Sequence, residues 1–233
     1  MKILAVSDQV EERLYSPAVK SFGSGIDLLV GCGDLPYEYL EYLLNVLNVP
    51  MIYVPGNHDP VYSPKDPRSH VEGAINIDLK TIQFKGLLLA GMGGSIRYRD
   101  DGVNQYGQTE MYTRALRLVF PLMWNRARYG RAVDLLITHS PPAGIHDDDD
   151  RAHQGLRAIN TVMKYFKPRY VLHGHTYFYQ RNLVTPHTQS GGTTVINSIL
   201  IPIFLYPLVM WAAFTGIMFV SGQTEGFTSR LLV

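Results

Sequence analysis

Five apolar runs in this chain each end in aspartate, asparagine or histidine, and that pairing constrains the fold more than any other feature. Asp8 closes LAVSD, Asp34 closes GCGD, Asn57-His58-Asp59 close PGNHD, His139 sits in ITHSPP, and His173 and His175 lie in VLHGH. The runs before them, KILAV, DLLVG, MIYVP, DLLIT and YVL, are continuous rather than alternating. Parallel strands covered on both faces have this composition. In an open α/β sheet, ligands bind beyond the carboxyl ends of the strands. Residues spread from Asp8 to His175 can therefore meet at one edge. Asp, Asn and His are ligands suited to Mn, Fe or Zn. Each cluster taken singly reads equally well as a turn residue, a cap or a surface histidine. All five together, each at a strand end, read as a metal site.

The rest of the chain fits around these strands. Strands are predicted near 2–7, 27–31 and 50–54, with a helix over 36–48 whose apolar face is Leu40, Leu43, Leu44 and Leu47. Pro36 suits that helix's first turn. A hairpin of 75–78 and 81–84, a buried strand at 86–91 and a helix over 108–128, kinked at Pro121, follow. Strands at 134–138 and 170–173 frame a helix at 153–166, and strands at 177–184 and 193–198 finish the sheet. Residues 60–70, PVYSPKDPRSH, read as a loop beside PGNHD.

The order D…GD…GNHD…H…GHT resembles the calcineurin-like metallophosphoesterase superfamily over about residues 1–198, most specifically in GNHD and GHT. The resemblance implies a two-sheet αββα sandwich with a two-metal centre between the sheets, and a reaction in which metal-activated water hydrolyses a phosphomonoester or phosphodiester. Position by position, it implies that Asp8 binds the first metal and that Asp34 bridges. Asn57, His139 and His175 would bind the second metal. His58 would be the general acid, and Asp59 would orient it.

Two positions depart from the pattern. The family's D-x-H is Asp8-Gln9-Val10 here, and its G-H-x-H is Gly174-His175-Thr176-Tyr177. Both missing histidines would serve the first metal, which keeps Asp8 and Asp34. One or two divalent ions (Mn, Fe or Zn) are therefore open, with Gln9, His146, His153, His173 or Tyr177 as candidate replacements. His173 fits better as a hydrogen-bond partner of the site than as a ligand. A catalytically weakened relative that binds a phosphate ligand or a partner is the alternative function.

Composition narrows the partners. A net charge of +1 gives no bulk attraction to nucleic acid. The expected partner is a small phosphorylated substrate, and nothing in the sequence fixes an oligomeric state. Arg114, Arg117, Arg126, Arg128 and Arg131 read as the solvated face of a helix, and Asp147–Asp150 as a solvated loop. Arg97, just past GMGGS, is a weak candidate for binding the substrate phosphate. The single Cys32 excludes an internal disulfide. MKILAVSD runs straight into the first ligand and reads as a strand, not a signal peptide, so the expected location is cytoplasmic.

Ile199 to Val220 contains no charged residue, and its length suits a bilayer span. The chain thus divides into a catalytic domain (1–198), an apolar segment (199–220) and a short tail (221–233). The apolar segment reads as an anchor to the cytoplasmic face of a membrane, as a packed or dimerising terminus, or as the product of an altered reading frame.

Overall fold

The computed structural model describes residues 1–177 and 187–199. Its first sheet is parallel throughout. β1 (Ile3–Val6), β2 (Leu28–Gly31), β3 (Met51–Tyr53) and β4 (Ile75–Asn76) lie side by side in chain order. The second sheet is built from β5 (Thr81–Phe84), β6 (Leu87–Met92), β9 (Leu135–Thr138), β10 (Tyr170–His173), β11 (His187–Ser190) and β12 (Thr193–Asn197). Its order is β11-β12-β10-β9-β6-β5, with a parallel centre and an antiparallel strand at each edge. β7 (Ser95–Ile96) and β8 (Gln105–Tyr106) form a small parallel pair.

The apolar runs do alternate, but between two buried destinations. Ile3, Ala5, Leu28, Val30 and Ile52 face between the sheets, where they join Leu89, Leu135, Ile137, Leu172 and Ile196. Their neighbours Leu4, Val6, Leu29, Met51 and Tyr53 face outward, toward Tyr39, Leu40 and Leu43 of α2 (Tyr37–Leu47), which lies beside the single turn of α1 (Val19–Phe22). Beyond the second sheet, Ala90, Met92, Leu136, Val171 and Val195 meet α3 (Gln108–Tyr129) and α4 (Arg157–Phe166) through Met111, Leu118, Leu122, Ile159 and Val162. The result is an αββα sandwich. A strand with helices on one face and a second sheet on the other needs no polar position, so the sequence shows no alternation.

Helix ends follow local chemistry. α2 starts after Pro36, which sits at the cap rather than within the first turn, and stops at Asn48 in the left-handed region (φ 51). In α3 the Glu110 carboxylate accepts from the Gly107 N–H (2.6 Å), and the helix runs past Pro121 to Gly130 (φ 72). α4 begins at Arg157, later than the expected 153, because residues 148–153 form a turn in which Asp148 N–H donates to His153 O.

The expected hairpin is not formed. β4 pairs parallel with β3 in the first sheet, whereas β5 pairs antiparallel with β6 in the second. Between them Asn76 Oδ1 accepts from Asp78 N (2.9 Å), Asp78 bridges to Gly91, and Leu79 turns the chain at φ 54. The short link thus crosses from one sheet to the other. Arg114 is a second correction. Its guanidinium pairs with Asp78 (2.7 Å) and lies 4.0 Å from the Tyr106 ring centroid, so it packs instead of facing solvent. The predicted strand at 177–184 falls, beyond Tyr177, outside the described residues, as does the apolar segment beyond Ile199. Among the described residues, no helix is long and apolar enough to cross a membrane.

Candidate metal centre

Five turns at the carboxyl ends of β1, β2, β3, β9 and β10 carry the site. Each is tight, and three of the residues concerned adopt left-handed backbone: Asp8 (φ 57), Asp34 (φ 57) and His175 (φ 69). Asp, Asn and His tolerate that region better than most residues, and backbone strain of this kind concentrates at functional sites. The turns also need absent side chains. A Cβ on Gly56 would lie 2.0 Å from Asp34 Oδ1, and one on Gly174 would lie 2.2 Å from Asp8 Oδ2.

The turns bring one ligand atom from each of Asp8, Asp34, His139 and His175 within 4.8 Å of one another. Hydrogen bonding fixes how these atoms present themselves. His139 is fully buried, and its Nδ1 lies 2.8 Å from Cys32 O, which can only accept, so Nδ1 donates. In the neutral ring, Nε2 then carries a lone pair. It faces Asp34 Oδ2 (3.2 Å) and Asn57 Oδ1 (3.0 Å). The Asn57 Nδ2 donates to the Tyr98 hydroxyl (3.1 Å), and in this orientation the amide oxygen faces His139. Three lone pairs thus converge, an arrangement that calls for a cation or a proton. His175 Nε2 donates to Ala152 O (2.8 Å), which leaves Nδ1 as its free lone pair. The mixed carboxylate, amide and imidazole donor set fits a divalent transition ion.

Electrostatics agree with this reading. Burial pulls the His139 imidazolium down, but the Asp34 carboxylate beside it and Asp8 together raise it to about 9. Burial alone would raise Asp34; His139 and the His58 N–H outweigh it and hold Asp34 at about 2. Burial raises Asp8 to about 6, although its Oδ2 accepts from Ser7 Oγ and from His175 N (2.9 Å). His175 is pushed down to about 3 by burial and by His139.

The residues around the cluster take distinct places. His58 is exposed at the rim, and its backbone N–H donates to Asp34 Oδ1 (2.8 Å). Asp59 is buried, and its Oδ2 accepts from Asp34 N (3.0 Å) and Gly56 N (2.7 Å). Those two bonds make Asp59 an anchor of the turn that carries His58. Asn104 closes the same turn from outside, donating to Gly56 O (3.0 Å) and Asp59 O (3.1 Å).

Among the described residues, His146, His153 and His173 stand outside the group formed by Asp8, Asp34, His139 and His175. Val10 packs against the apolar layer beneath α2, and Gln9 is exposed. The Tyr177 hydroxyl donates to Asp8's backbone carbonyl (3.3 Å). His153 pairs with Asp150 (2.6 Å). His173 is buried between Gly174 O and His146 Nδ1 (2.9 Å each), so it holds the turn before His175 by hydrogen bonds. Arg97 pairs with Glu110 (2.9 Å) and donates to Gln105 O (3.2 Å), which takes its guanidinium for structure. Asp147 Oδ2 accepts from Gly144 N (2.9 Å) and Gly155 N (3.1 Å), so the acidic run is a built turn rather than a free loop.

Sequence reasoning missed Tyr98, Asn104, and the Cys32 and Ala152 carbonyls. Each acts through a partner distant in the chain, and only a glycine-rich loop before Tyr98 hinted at proximity. Beside the cluster opens a cleft of about 550 Å³ lined by Asp34, Tyr37, His58, Asp59 and His70, among others.

Comparisons with known proteins find a matching family model and proteins of similar fold. The family model described as calcineurin-like phosphoesterase matches residues 2–179. An uncharacterised protein of Methanocaldococcus jannaschii, MJ1162, is 28% identical in a 187-residue alignment that covers 75% of this chain and 79% of that protein. The crystal structure of TT1561 of Thermus thermophilus is similar with a TM-score of 0.53 and 17% identity, covering 84% of this chain and 88% of that one. A further solved chain, at 16% identity and the same coverage of this chain, gives a TM-score of 0.55 over 89% of its own length. These likenesses show a shared fold.

Proposed function

The chain belongs to the calcineurin-like phosphoesterase family, and on that premise we propose that it is a metal-dependent hydrolase of phosphomonoesters or phosphodiesters. The observation that carries this reading is the cluster of Asp8, Asp34, His139 and His175 at the strand ends, whose ligand atoms lie within 4.8 Å of one another. Asp34, Asn57, His139 and His175 would hold a Mn, Fe or Zn ion. Asp8 offers a carboxylate oxygen within 4.8 Å of the ligand atoms of Asp34, His139 and His175; positions 10 and 177 add no imidazole, so a second ion beside Asp8 would be held more weakly. When bound, the ion polarises phosphoryl oxygens and makes water more acidic.

The chain's own residues do the rest. His139 must give up its proton to become a ligand, and Cys32 O keeps the ring in the tautomer that presents Nε2. Tyr98 hydrogen-bonds the Asn57 amide, whose oxygen faces His139. His58, exposed beside Asp34, would hand a proton to the leaving oxygen. Asp59 and Asn104 fix the turn that carries His58. The test is metal content together with turnover of His58→Ala. Metal retained with turnover lost supports the reading, and unchanged turnover of purified His58→Ala refutes the general-acid role. A phosphate-binding relative without turnover is the second reading, favoured by Val10 and Tyr177 standing outside the cluster.

A further inference from the structure

We propose that the cleft beside His58 receives the leaving group of the ester, and that its acidic wall selects leaving groups carrying no negative charge. This rests on the reading of His58 as general acid. A proton donor must reach the leaving oxygen, so whatever that oxygen carries extends on the donor's side. The described cleft on that side has His58, Asp34 and Asp59 on one wall and the start of α2 on another. Residues of the 60–72 loop form the third. Its volume of about 550 Å³ suits a small organic group.

The wall's charge is one-sided. Glu38 and Glu41 stand one turn apart on α2, and Glu72 faces them, its N–H donating to Glu41 Oε1 (2.8 Å). Arg68 also lines the cleft, but it is 90% exposed and paired with Asp66 (3.3 Å). The start of α2 would favour an anion through its N–H groups; Glu38 in its first turn already answers that field. An anionic leaving group would therefore meet three carboxylates, of which Glu38 and Glu72 are exposed and Glu41 is half-buried.

The remaining lining suits a neutral or cationic alcohol. Leu35, Pro36, Pro60 and Pro67 give apolar surface. Tyr37 offers a hydroxyl, and burial first, then Asp59, keeps it protonated. His70 Nδ1 is buried without a partner among the described residues, and Tyr62 packs edge-on against that ring (5.8 Å).

The test compares two aryl esters on the full-length, Mn-loaded protein: one releases 4-nitrophenol, the other 3-carboxy-4-nitrophenol. The leaving groups have similar acidity and differ by a carboxylate. Each is offered as monoester and as methyl diester. The expected result is a kcat/KM at least about tenfold higher for the uncharged leaving group. That ratio should shrink toward unity in a Glu38→Gln, Glu41→Gln, Glu72→Gln variant. Equal kcat/KM in the parent, or a ratio that survives the triple substitution in folded protein, overturns the proposal while leaving the phosphoesterase reading in place. Absence of turnover on all four esters overturns that reading and the inference with it.

Discussion

At the scale of single residues, the centre is defined by which nitrogen of His139 holds a proton. Its pKa is raised from 6.5 to about 9 in the metal-free chain, so at pH 7.5 the ring is mostly protonated. Metal binding must displace that proton. Calorimetric titration with Mn in two buffers of different ionisation enthalpy should show about one proton released per ion at pH 7.5, and affinity rising toward pH 9. The stability consequence has a fixed sign. A histidine with a raised folded pKa contributes stability that is complete below its unfolded value of 6.5 and is lost as pH rises through 9. The metal-free protein should therefore melt at lower temperature at pH 9 than at pH 6.5, and added metal should remove the difference. A flat metal-free profile would contradict the His139–Asp34 pairing. His58→Ala should lower turnover by about 10²–10⁴-fold with metal content unchanged.

At the scale of elements, the strand-end turns decide the site. Gly56→Ala would drive a methyl group into Asp34 Oδ1, and Gly174→Ala would do the same to Asp8 and Ser7. Both variants should bind Mn at least about tenfold more weakly while keeping their secondary structure, because the displaced atoms belong to ligands or their supports. Asn104→Ala removes both bonds that hold the PGNHD turn from outside; kcat should fall more than metal affinity does, since Asp59 still anchors the inner side. Elements also mark what the sequence reveals. Asp8, Asp34, Asn57, His139 and His175 were legible because each follows a buried run directly, and strand geometry then decides where it goes. Tyr98 and Asn104 were not legible, because they reach the turn through the small β7–β8 pair, and two-residue strands leave no periodic trace. The β4–β5 link looked like a hairpin because two short β-prone runs lie close together. Its outcome depends on which sheet captures each run, and that is a long-range matter.

At the scale of the whole molecule, the site depends on two sheets held face to face by one apolar layer. Leu172 is fully buried in that layer, one residue before His173 and three before His175. Leu172→Ala should destabilise the protein by about 2–5 kcal/mol in chemical denaturation, with metal affinity falling less than the Gly174 variant's. The sandwich itself followed from continuous apolar runs combined with an amphipathic helix pattern. The sheet order did not, since pairing partners carry no local signal. The measurement that bears most directly on the central claim joins elemental analysis of purified protein with hydrolysis of an aryl phosphodiester and an aryl phosphomonoester, with Mn added or chelated. The proposed metal centre requires at least one bound transition ion per chain, turnover abolished by chelation, and turnover restored by Mn. Metal-loaded protein that turns over neither ester, or turnover indifferent to chelation, would contradict it.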